Sequence, residues 1–135
     1  MGRVSPPQTP APRRGPLPFE VVVRPDRSRV IVSPAGEIDL ATVDQVQESI
    51  EQAVAAGFAK IVLDLRNVEF LDSTGLRLIL EHVQREDTDF AVAEGPAGVQ
   101  RVFEVAGVLD RIPFVDLSQQ SHGRNGVPPA DPQES

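Results

Sequence analysis

The chain has no cysteine, no tryptophan and no tyrosine, and its only aromatic residues besides two histidines are six phenylalanines. Without cysteine there is no disulfide, no thiolate metal site and no cysteine nucleophile. Two histidines and no cysteine cannot assemble a conventional structural zinc site, so no metal is expected. With so few aromatics, the core has to be packed by Val, Leu, Ile and Ala. No apolar run is long enough to cross a bilayer, and the N-terminus has arginines but no apolar segment behind them. The expectation is a cytoplasmic protein with no membrane partner. The phosphate-cradling loops of nucleotide enzymes are also missing: neither a Walker loop nor a Gly-x-Gly-x-x-Gly occurs, and no cofactor is expected.

Proline is plentiful, but unevenly placed. Six of the 13 prolines fall in residues 1–18 and three more in 128–132. Those ends, 1–18 and 118–135, read as solvated, disordered tails. Between them, residues 19–117 must build the whole core, which suits one modest domain. Charge divides at the same places. The first tail carries three arginines and no acid, whereas the middle holds 18 acidic and 9 basic residues. Such a domain repels phosphate backbones, so nucleic acid is not an expected partner.

Within the middle, Phe19–Arg24 and Arg29–Ser33 are β-rich runs separated by Pro25-Asp26 turn chemistry, which predicts an antiparallel hairpin. Gly36-Glu37-Ile38-Asp39 leads to a helix whose stripe is Val43, Val46, Ile50, Ala53 and Val54. Thr42 and Gln45 have capping-box spacing, and Gly57 supplies a stop. Lys60–Leu65 is an apolar strand broken only by Asp64, as in a strand covered on its faces. The spacing of Leu76, Ile79, Leu80 and Val83 predicts a second helix from Ser73 to Glu86. Phe90–Ala93 is a strand. Gly95-Pro96 opens a third helix with Val99, Val102, Phe103 and Ala106, closed by Gly107. Ile112–Val115 is a last, edge strand, because Pro113 cannot donate to a ladder. The order β-β-α-β-α-β-α-β gives an α/β domain with a mostly parallel sheet begun by an antiparallel hairpin.

Chemistry concentrates at Asp72-Ser73-Thr74-Gly75-Leu76, where a buried strand meets a helix N-terminus. Free backbone N–H groups and the helix dipole favour negative charge there. Asp72 or Ser73 can cap the helix, and a phosphoryl group on Ser73 or Thr74 would be tolerated. Gly75 is expected to let a partner's backbone come close, and Asp72 to orient Ser73. Asp39 either contacts a partner or starts the loop before Thr42. Enzyme constellations are absent. Ser73 lies in no Gly-x-Ser-x-Gly elbow, and His82 sits about 13 Å further along the same helix. His82 is expected on the polar face. Asp64 lacks the acidic cluster of a phospho-accepting receiver.

Gly36-Glu37-Ile38-Asp39, the strand Ile61–Leu65 and Phe70-Leu71-Asp72-Ser73-Thr74-Gly75-Leu76 together resemble the STAS domain of bacterial anti-sigma factor antagonists. Val102–Val108 resembles the ending of that family's third helix. The resemblance implies a non-enzymatic regulator that binds an anti-sigma factor, itself an ATP-binding serine kinase, and so releases a sigma factor. It implies phosphorylation at Ser73, with Thr74 as the alternative, dissociation of the complex, and resetting by a serine phosphatase. Partner contacts would come from Asp39, Asp72, Ser73, Thr74, Gly75 and Arg77. Arg77 departs from the small residue that many members carry after Gly-Leu; at i+4 from Ser73 it either bonds a phosphate or stays solvated. A scaffold module that binds other STAS proteins is the alternative within the family, and a small hydrolase or nucleotide-binding enzyme the alternative outside it.

Overall fold

A computed structural model describes residues 19–117. The two stretches read as disordered tails lie outside the described residues. Elements run β1 (Glu20–Asp26), β2 (Arg29–Ile38), α1 (Val43–Ala55), β3 (Lys60–Asp64), β4 (Val68–Leu71), α2 (Ser73–Val83), β5 (Asp89–Ala93), α3 (Ala97–Ala106), a short 3₁₀ turn (Leu109–Arg111) and β6 (Phe114–Val115). The main sheet has the order β1-β2-β3-β5-β6, and β4 pairs separately with β2. Only β1–β2 is antiparallel. The mixed, mostly parallel sheet that the sequence predicts is therefore present, with β6 at its edge.

One strand was missed. Residues 66–71, to which the sequence pattern assigns no element, include β4, which makes six strands among the described residues rather than five. Four residues are too short a run to show a period, and their place is set by a partner some thirty positions earlier. β2 makes room for it by changing neighbours part-way. Arg29–Val32 pair with β3, whereas Gly36–Ile38 pair with β4, with a register shift between Gly36 and Glu37. Gly36 takes the bend at φ +115°, a value that L side chains rarely adopt. Pro34 sits in the gap between the two ladders, where its missing N–H leaves neither ladder short of a donor.

The core lies between the sheet and the three helices. Val30, Val32, Ile61, Leu63, Leu65 and Val92 meet Val46 and Ile50 of α1, Ile79 of α2, and Val99 and Phe103 of α3. The opposite face of the sheet holds a smaller cluster of Ile31, Val62, Ala93 and Leu117. β3 is thus buried on both faces, which explains its unbroken apolar pattern. Its one acid, Asp64, is 3% exposed and fully engaged. It accepts from Ser33 Oγ at 2.9 Å, from Arg66 Nε at 2.9 Å and from the Arg66 amide at 3.1 Å. Burial pushes its carboxyl up, but the bonds from Arg66 and Ser33 outweigh that and hold it below the usual range. Asp64 is a pinned structural anion.

Helix details depart from the sequence expectation in three places. The Thr42–Gln45 capping box does not form; the Thr42 hydroxyl donates instead to Glu37 O at 2.7 Å and accepts from the Asp39 amide at 3.0 Å. In α3, Val99 and Phe103 are buried, but Ala106 is exposed. In α2 the innermost face is Gly75, Leu78, Ile79 and His82, with Leu76, Leu80 and Val83 half-buried beside it. His82, expected on the polar face, is 3% exposed. Its ring stacks on Phe90 at 5.3 Å, and its Nε2 lies 2.9 Å from Gln47 Oε1 on α1. The ring covers Phe90 while its two nitrogens face Gln47 and Arg85, so the imidazole is buried with its polar atoms partnered, which residue type alone does not reveal.

Candidate functional site

The site begins with the β2–β4 pairing. Glu37 lies opposite Phe70 and Ile38 opposite Leu71, and the Asp72 amide donates to Ile38 O at 3.1 Å. Gly-Glu-Ile-Asp and Asp-Ser-Thr-Gly, more than thirty residues apart, are therefore adjacent at one end of the domain. Asp39 holds its own loop: Oδ1 accepts from the Ala41 amide at 2.9 Å. Of the two roles open to it from sequence, the loop-starting one is seen directly.

Asp72 caps α2. Its backbone is extended (φ −99°, ψ −172°), and Oδ1 accepts from the Thr74 amide at 2.9 Å and the Gly75 amide at 3.2 Å. The same oxygen takes the Thr74 hydroxyl. The Thr74 hydroxyl is the main reason its carboxyl lies below the ordinary range; burial, next in size, opposes it, and the Gly75, Thr74 and Leu40 amides add to the lowering. Asp72 is thus an anion at neutral pH. It was expected to orient Ser73, but its carboxylate binds Thr74 instead. Ser73 is exposed, and its hydroxyl has no hydrogen-bond partner among the described residues. Of the two candidate hydroxyls, one is engaged and the other is open.

Gly75 also differs from expectation. It is buried, and a Cβ there would crowd the Leu71 side chain and come within 2.9 Å of Ile38 Cγ2. The close approach it permits is to the domain's own β2–β4 pair, not to a partner's backbone. Arg77 points to solvent and makes no ion pair among the described residues.

Beside Ser73 lies an open groove of about 430 Å³ between α2 and α3, floored by Leu71, Leu76 and Val102 and rimmed by Asp72, Arg101 and Val105. Large apolar side chains stand exposed at this end of the domain: Leu40 and Val105 at 77% each, and Phe70 at 50%. Sequence reasoning missed these three and Arg101. Strict alternation along β4 would have put Phe70 on the face of the buried Val68; the register shift opposite Gly36–Glu37 turns it outward instead. No group of three or more potential metal ligands occurs among the described residues.

Residues 19–121 match the family model of the STAS domain. The chain belongs to the STAS-domain family. The anti-sigma F factor antagonist of Paenibacillus polymyxa is 29% identical over 102 residues, covering 73% of this chain and 87% of that protein. The anti-sigma-B factor antagonist of Staphylococcus aureus is 30% identical over 82 residues, covering 58% and 76% respectively. Among solved structures, an anti-sigma factor antagonist from Mycobacterium paratuberculosis superposes with a TM-score of 0.65 at 27% identity, over 72% of this chain and 85% of that one. The anti-sigma factor antagonist SpoIIAA in its unphosphorylated form shares the fold, with a TM-score of 0.60 at 21% identity over 79% and 95%. This STAS domain thus has the fold expected from its motifs, and no helix among its described residues is long and apolar enough to cross a membrane.

Proposed function

We propose that this chain is an anti-sigma factor antagonist switched by phosphorylation of Ser73. Its partner is an anti-sigma factor that is also an ATP-binding serine kinase, and a serine phosphatase resets it. The kinase supplies ATP and catalysis; this chain is the substrate and the ligand. Relatives named as antagonists support the role. The observation that carries the assignment to Ser73 is the contrast of adjacent hydroxyls, Thr74 bound to Asp72 and Ser73 open to solvent at the mouth of an apolar groove.

The charge arithmetic explains how one phosphate would undo a complex without undoing the fold. A phosphoserine carries roughly −1.5 to −2 charges at neutral pH. At the first turn of α2 the helix dipole favours the charge and the exposed Ser73 leaves it in water, so the domain stays folded. A partner seated across Leu40, Leu76 and Val105 would instead have to desolvate that dianion beside the Asp72 anion. Neutral Ser73 imposes no such cost.

The test is affinity capture from lysate of the source organism with ADP present, using wild-type and Ser73→Glu chains, with captured proteins identified by mass spectrometry. The expected result is a small ATP-binding kinase held by wild type and lost from Ser73→Glu, while the two baits unfold at the same temperature. Equal capture of other STAS proteins by both baits, with no kinase, would replace this reading with a scaffold role.

A further inference from the structure

β1 ends the sheet, and no described strand pairs with its outer side. Val22 and Val23 in its middle are 51% and 46% exposed. A bare, apolar edge strand is a template for another strand. The hairpin closes with Asp26 opposite Arg29 across a two-residue turn, so those two residues exchange backbone hydrogen bonds. Alternation back along the strand then turns the amides and carbonyls of Val21 and Val23 away from β2. Pro25 offers no N–H on that side, which ends the usable edge.

We infer that β1 is a self-association edge on which two copies of this chain pair antiparallel about Val22, extending the sheet across a dimer. The stretch Glu20-Val-Val-Val-Arg24 is complementary to itself in that register. Val21 of one copy meets Val23 of the other, and each exchanges both backbone bonds. Val22 meets its own copy, and Glu20 lies directly opposite Arg24 at both ends. Glu20 and Arg24 share a face of the strand, are exposed, and form no ion pair among the described residues. A slip by one pair toward the turn sets Glu20 against Asp26 and brings Pro25 into the ladder. A slip the other way sets Glu20 against Val22 and leaves no acid opposite Arg24. The charge pattern therefore selects both the occupant, a second copy, and the register. So short a seam makes a weak dimer that depends on concentration.

Sedimentation velocity on the full chain, from dilute to millimolar concentration, tests this, with circular dichroism confirming that each variant is folded. Wild type is expected to pass from monomer to dimer. Arg24→Glu turns both attractive pairs repulsive and should weaken association by on the order of tenfold. The swap Glu20→Arg with Arg24→Glu should restore it. A wild-type chain that stays monomeric at millimolar concentration would overturn the inference, as would a dimer indifferent to Arg24→Glu or a swap that fails to restore association.

Discussion

One carboxylate oxygen of Asp72 receives three hydrogen bonds, from the Thr74 amide, the Thr74 hydroxyl and the Gly75 amide. Asp72→Ala removes the side-chain cap of α2 and should lower stability by about 1 kcal/mol, read from urea unfolding. Ser73→Ala removes a hydroxyl that bonds to nothing described and should stay within about 0.5 kcal/mol of wild type in the same assay. The Asp-Ser-Thr-Gly run was legible as a helix start, because capping depends on residues within one turn. Which hydroxyl the aspartate would take was not legible. Both lie within reach along the chain, and the choice was made by the extended backbone at Asp72 and the burial of the turn behind it.

At the scale of elements, the decisive contact is α2 lying directly on the β2–β4 pair through Gly75. Gly75→Ala should cost about 1–3 kcal/mol, because the added methyl meets Leu71 and Ile38 in a packed core. The double variant with Leu71→Val should lose less than the sum of the two single losses, since the atom nearest the new methyl is Leu71 Cδ1, which valine lacks; thermal unfolding of the single and double variants measures it. α1, α2 and α3 were legible from period and punctuation, and their caps at Asp72 and Gly107 act locally. β4 was not legible, since Val68–Leu71 is held by bonds to Gly36–Ile38 rather than by any pattern of its own. Nor was the inner face of α2: two of its four most buried residues, Gly75 and His82, are types that a hydrophobic stripe passes over.

For the molecule as a whole, stability should depend on pH through the seam joining α1, α2 and β5. His82 sits there between Gln47 and Phe90, with Arg85 NH1 3.4 Å from its Nδ1 and Glu51, Glu81 and Asp87 nearby. Burial, and next the Arg85 charge, lower its pKa below 6.5, against which the three carboxylates pull only partly. The folded state therefore resists a proton that the unfolded chain accepts. The stability this confers is complete above the unfolded value and is lost as pH falls through about 6.5 toward the lower folded value. Wild type should lose stability between about pH 7.5 and 5.5 more steeply than His82→Phe, which keeps the stacking and has no proton to take up. Chemical denaturation at both pH values compares the two slopes.

The order of elements other than β4, the absence of metal-binding and nucleotide-binding motifs, and the helix start at Ser73 were determined by the sequence alone. Each rests on the identity of residues within a few positions of one another, where period, capping and turn chemistry operate. The meeting of Ile38 with Asp72, the insertion of β4, the inward turn of His82 and, among the described residues, the unpaired outer side of β1 were decided only by tertiary structure. In each of those the partner lies elsewhere in the chain or on another copy, and the outcome depends on which groups the packed sheet leaves satisfied and which it leaves open.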